Sequence, residues 1–135
     1  LRIMRKLVLI LAVGLMTIGL QAQEEAKEKK AEIAFESDVI DYGDVAHGAD
    51  GTREFKFTNT GNAPLVISKA YSTCGCTVPS PPTDPIAPGE SNVIKVRYDT
   101  NRAPGPIRKT ITVYTNASAE PYTLKIKGNL LPAVN

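Results

Sequence analysis

The stretch Ser72-Thr73-Cys74-Gly75-Cys76-Thr77 holds the only two cysteines of a 135-residue chain, one glycine apart. Thiols at this spacing can cycle as a redox pair, supply half of a soft-metal site, close a small disulfide, or sit inert. In an extended segment residues i and i+2 point the same way, so both sulfurs fall on one side, and the glycine lets the backbone pucker enough to join them. The ring so closed is very small. In the chain-entropy account it gains only about 1–2 kcal/mol, which strain can cancel. Stapling the fold is therefore a poor reason for the pair, whereas an easily reduced bond is a chemical one.

A closed zinc site needs four ligands, and Cys74 and Cys76 supply two. Two thiolates alone suit monovalent copper better, because it accepts soft sulfur at low coordination. The single histidine, His47, sits in the turn-like run AHGADG and reads as an exposed turn residue. Nucleophilic catalysis would require a cysteine to recruit that histidine as base, and no glycine loop of the oxyanion type accompanies them. Asp38, Asp41, Asp44 and Asp50 gather early in the chain but lack regular calcium-loop spacing, so they read as solvated loop acids. Asn116-Ala117-Ser118 matches a glycosylation acceptor pattern and, if the chain is bacterial, reads as a turn. No catalytic, cofactor-binding or metal-ligating residue is assigned and no cofactor is expected. Cys74 and Cys76 remain the disulfide or thiol candidates.

The elements that must position them begin after a distinct leader. Met4-Arg5-Lys6 is a short basic start, and residues 7–20 form an uncharged apolar run of 14 residues. That is the length of a signal-peptide core and short for a bilayer span, which points to cleavage after Ala22. A retained N-terminal anchor is the alternative. Removing residues 1–22 takes away Arg2, Arg5 and Lys6 and no acid, so 13 bases face 14 acids and the net charge falls from +2 to about −1. A nucleic-acid surface should show a basic cluster, and none is left. Export implies an oxidising compartment, in which two cysteines are expected to pair.

Residues 23–31 (QEEAKEKKA) are charged, bury almost nothing, and read as a disordered tether. From Glu32 onward the apolar period is two, with short alternating runs separated by Gly, Pro, Asn and Asp. In TREFKFTNT, Phe55 and Phe57 point one way and Glu54, Lys56 and Thr58 the other. The same alternation places Ile67, Ile94, Val96, Ile111, Val113, Leu124 and Ile126 in a core. Glycine in Ala87-Pro88-Gly89-Glu90 can supply the positive φ of a tight turn. The proline-dense residues 79–85 read as a rigid extended connector without a regular ladder. About seven short strands with frequent turn signals describe an all-β protein, an immunoglobulin-like antiparallel β-sandwich over residues 32–130, with a tail at 131–135. A small barrel is the runner-up. Cys74 and Cys76 are too close in sequence to form the inter-sheet bridge of antibody domains.

The run FKFTNTGNAPLVISKAYSTCGCTVP (residues 55–79), with DPIAPGESNVIKVRYDT (84–100), GPIRKTITVYTN (105–116) and LKIKGNL (124–130), resembles a family of exported bacterial Ig-like proteins, the domain of unknown function numbered fifteen seventy-three. The resemblance spans about residues 32–130 and implies the sandwich fold. The family is similar to major-sperm-protein-like and cilium-associated Ig-like domains, which bind and scaffold, and no catalytic residue carries over from it. The expectation is thus a non-enzymatic exported module, periplasmic or extracellular, with a protein partner in the cell envelope, no nucleic acid, and no membrane contact after cleavage. The alternative is a thiol redox or copper-handling module working through Cys74-Gly75-Cys76.

Overall fold

The computed structural model describes residues 28–134. The expected signal peptide, residues 1–22, and the first part of the expected tether, residues 23–27, lie outside the described residues. Eight strands follow in order: β1 (Ile33–Phe35), β2 (Val39–Val45), β3 (Thr52–Asn59), β4 (Ile67–Ser72), β5 (Thr77–Ser80), β6 (Ser91–Tyr98), β7 (Gly105–Thr115) and β8 (Ser118–Leu130). They make two four-stranded sheets, ordered β1-β3-β6-β5 and β2-β8-β7-β4. The longer strands each have one apolar face, and the two sheets bury those faces against each other. All nine residues expected in the core are buried, from Phe55 and Phe57 on β3 to Leu124 and Ile126 on β8. The turn at residues 87–90 forms as the sequence predicts: Gly89 adopts φ 82°, and the Glu90 N–H donates to the Ala87 carbonyl at 3.0 Å.

Three features depart from the sequence expectation. The chain forms an eighth strand, β5, which runs two residues into the segment read as a connector, and Pro79 sits within it opposite Val96. This is tolerated because β5 is an edge strand, bonded on one side only, where a missing N–H costs no ladder bond. The sandwich is also not wholly antiparallel, since β2 runs parallel to β8 from Val39↔Lys125 to Val45↔Leu130. A parallel pair needs a long crossover, and here the intervening strands of the domain provide it. Finally, ordered structure begins before Glu32. Ala31 is buried, and the Asn62 N–H donates to the Lys30 carbonyl at 2.9 Å. Gly61 makes this approach possible, because a Cβ there would collide with the Lys30 carbonyl oxygen.

Strand β2 carries a bulge between Asp41 and Asp44. Gly43 takes φ 64° there, and its N–H donates to Asp41 Oδ1 at 2.9 Å. The neighbouring Tyr42 ring turns inward, lies 6.2 Å from the Tyr98 ring, and donates its hydroxyl proton to the Gly51 carbonyl at 2.8 Å. Burial pushes its pKa up from 10.0 to about 12, although Arg53 partly opposes the shift. An acid whose folded pKa is raised stabilises the fold through its protonated form. That contribution is complete below pH 10.0 and is lost as pH rises through about 12. We therefore expect stability to fall across this window, as Tyr42 ionises more readily in the unfolded chain. A spectrophotometric tyrosinate titration run beside circular dichroism checks this, and a Tyr42→Phe variant should lose the tyrosine that titrates at about 12 while Tyr114, raised by its hydrogen bond with Tyr71, still titrates late.

Candidate functional site

The cysteines lie where the chain changes sheets. Strand β4 ends at one edge of its sheet, and within four residues the chain starts β5 at the edge of the other. The Thr77 N–H donates to the Cys74 carbonyl at 3.1 Å, which closes a tight turn around Gly75 and Cys76. The two sulfurs are joined at 2.00 Å, with Cα atoms 5.2 Å apart. From the inside, Cys76 packs against the core, and its carbonyl accepts the Asp99 N–H at 2.8 Å. The face around Gly75 is open, because a Cβ placed there would meet nothing within 4 Å.

Two donors converge on the outer sulfur. The Cys76 N–H points at Cys74 Sγ from 3.3 Å, and Arg102 Nη1 from 3.6 Å. Arg102 reaches this position from the loop after β6, with its guanidinium carbon 5.9 Å from the centre of the Tyr98 ring. The inner sulfur, Cys76 Sγ, has the Thr77 hydroxyl oxygen 3.5 Å away. Half-buried sulfurs, an adjacent fixed cation and an open approach make an arrangement suited to thiol chemistry. The bond itself spans only Gly75, so it constrains the unfolded chain little. A Cys74→Ser/Cys76→Ser double variant should fold and melt within about 2 kcal/mol of the parent, as urea denaturation can measure.

Three of the remaining sequence candidates, Asp41, Asp50 and Asn116, are spent locally. Asp50 Oδ1 accepts the Thr52 N–H at 2.9 Å, and that bond holds its pKa below the ordinary carboxylate value. Asp41 serves the β2 bulge. Asn116 accepts the Val66 N–H at 2.9 Å and donates to the Pro64 carbonyl at 3.0 Å, so its side chain fastens the β7–β8 hairpin to the approach of β4. His47 is exposed, in a loop tied to the cysteine end of the sandwich by a bond from the Gly48 N–H to the Thr100 carbonyl. Among the described residues no three His, Cys, Asp or Glu side chains group as metal ligands would.

Sequence reasoning missed a surface feature on the outer side of β4 and β7. Lys69 pairs with Tyr114 and Tyr71 with Thr112 across these strands. The two tyrosine rings stack with centroids 6.2 Å apart and planes 10° apart, and Lys69 Nζ lies 4.7 Å from the Tyr71 ring centre. Both rings face solvent, at 36% and 37% exposure. The signal was present, since Tyr71 and Tyr114 fall at the outward positions of their alternating runs, where polar residues are the rule.

The family profile described as "Protein of unknown function (DUF1573)" matches residues 33–130. This chain belongs to the DUF1573 family. Among solved structures, it is similar to a protein of unknown function from Porphyromonas gingivalis W83, with a TM-score of 0.65 and 19% identity over 76% of this chain and 48% of that one. The DUF1573 chain thus spans about half the length of that relative. A PapD-like domain of human CEP192 superposes with a TM-score of 0.59 at 11% identity, covering 81% of this chain and 92% of that one. The periplasmic chaperone SfaE gives 0.54 at 13% identity, covering 75% and 58% respectively. At such identities the likeness establishes the fold alone: this DUF1573 member is an immunoglobulin-like β-sandwich. No curated protein is matched by the sequence.

Proposed function

We propose that this DUF1573 chain is an exported, non-catalytic immunoglobulin-like module that holds a protein partner in the cell envelope. The observation that carries the reading is the solvent-facing Tyr71–Tyr114 stack. Tyrosine rings are rigid, amphipathic and enriched among the residues that dominate protein interfaces. Here they sit on edge strand β4 and its neighbour β7, and the outer backbone edge of β4 is unbonded within the sheet and offers a ladder for an added strand. The immunoglobulin-like fold, shared with a periplasmic chaperone, and the basic, apolar start of the sequence support the same setting. The side chains of Asp41, Asp50 and Asn116, occupied by local backbone bonds, favour a binding role over a catalytic one.

The test has two arms. Cell fractionation with intact-mass measurement should find the protein outside the cytoplasm and cut near Ala22. The full-length exported protein should capture an envelope protein that a Tyr71→Ser/Tyr114→Ser variant of unchanged melting behaviour does not. A cytoplasmic species that retains residues 7–20, or equal capture by both proteins, would overturn the reading.

A further inference from the structure

From the cysteine corner we infer a second activity, independent of partner holding: Cys74 and Cys76 form a two-electron thiol–disulfide couple that oxidises dithiols of partner proteins, with Arg102 stabilising the Cys74 thiolate. Three observations converge on it. The bond encloses only Gly75, so stability does not account for the pair. The approach over Gly75 is open. The guanidinium of Arg102 and the Cys76 N–H both aim at the same sulfur, Cys74 Sγ. A fixed cation and a backbone donor at one sulfur favour its anionic form over the neutral thiol. Stabilising a thiolate stabilises the reduced state, which makes the disulfide the stronger oxidant.

The positions of the sulfurs divide the labour. Cys76 packs against the core, which leaves Cys74 as the sulfur an incoming thiolate reaches. A partner thiolate attacks Cys74 Sγ and forms a mixed disulfide. The Cys74–Cys76 bond breaks with its electron pair on Cys76 Sγ, which takes a proton from solvent beside the Thr77 hydroxyl. The partner's second thiol, having lost its proton to solvent, attacks the partner sulfur of the mixed disulfide. A disulfide closes on the partner, and Cys74 leaves as the thiolate facing Arg102. Two electrons pass from the partner dithiol to the cysteine pair. Of the two protons the dithiol gives up, one ends on Cys76 and one in solvent.

The test uses the full chain and a synthetic peptide carrying a reduced Cys-x-x-Cys pair as the dithiol probe. In the reduced protein, pH-dependent alkylation read by peptide mass should show Cys74 reacting ahead of Cys76, with an apparent pKa well below the ordinary thiol value of about 8.5. Arg102→Met should slow Cys74 alkylation at neutral pH about tenfold, one pKa unit, and shift the glutathione equilibrium of the pair toward the disulfide. Arg102→Lys should restore much of the effect. The oxidised parent should convert the peptide to its disulfide one for one, and the Arg102→Met protein should do so more slowly, with unchanged melting in both variants. A Cys74 that titrates as an ordinary thiol whatever residue 102 is, or a pair that exchanges no electrons with the peptide, would overturn the inference. None of these readouts depends on partner capture, so this activity and the binding role fail separately.

Discussion

Phe57→Ala removes about 3–5 kcal/mol of unfolding free energy, measured as a shift of the urea midpoint at constant slope. The side chain is completely buried in β3, directly opposite Phe35 of β1. Its ring lies 5.9 Å from that of Phe35, which in turn meets Tyr122 of β8 edge-on at 6.1 Å. Three rings thus tie the two sheets together at one end of the core. Truncation deletes the transfer free energy of a full aromatic ring and leaves a void that the β-ladders on both sides of β3 prevent from collapsing. Phe57→Leu, which keeps most of the volume, should cost much less. A midpoint that Phe57→Ala leaves unchanged would mean that the aromatic cluster contributes nothing to the sandwich.

That placement was legible because a strand with one buried side must alternate, and the FKF run alternates without ambiguity. Pairing was less legible than facing. Alternation states which side of a sheet a residue occupies and says nothing about which strand lies beside it, so the parallel match of β2 with β8 is invisible in either run. Strand β5 was hidden for a different reason. Proline argues against a central strand, and only the edge position of TVPS makes Pro79 acceptable. Ala31 has no apolar neighbours in sequence, and its burial depends on Asn62 and Gly61, which the fold brings to it.

The candidate site divides along the same line. The spacing of Cys74 and Cys76 already confines them to one local turn. Arg102 is 28 residues from Cys74 in sequence, and it arrives only because β5 pairs with β6 from Thr77↔Tyr98 onward. That register sets the loop after β6 beside the cysteine turn. Nothing in the residue types near Arg102 announces such a contact. The Tyr71–Tyr114 stack is likewise a product of register, through the Lys69↔Tyr114 pairing of β4 with β7.

Asn59→Ala should be about as damaging as the loss of Phe57, although it deletes a polar side chain. Asn59 is fully buried at the end of β3. Its Nδ2 donates to the Ala63 carbonyl at 2.8 Å and to the Ile86 carbonyl at 2.9 Å, while its Oδ1 accepts the Gly61 N–H at 3.0 Å. Its backbone N–H and carbonyl bond Glu90 and Gly89 in the turn before β6. One side chain therefore holds together the turn after β3 and the segment around Ile86, which itself pairs with the buried Leu65. Alanine strands the Ala63 carbonyl and the Gly61 N–H, takes away the longer 3.4 Å contact to the Glu32 N–H, and leaves the Ile86 carbonyl with the Leu65 N–H as its one donor; each buried polar group so stranded costs about 1–3 kcal/mol. A total loss of about 3–5 kcal/mol follows, a large part of the stability of a small domain. Asn59→Asp separates hydrogen bonding from packing, since it keeps the shape but turns an oxygen toward the two carbonyls. Its carboxyl should have a raised pKa, so this variant should gain stability as pH falls and lose it as pH rises through the folded pKa. Urea titrations of both variants at neutral and acid pH test this, and an Asn59→Ala loss below about 1 kcal/mol would show that the turn holds itself without the side chain.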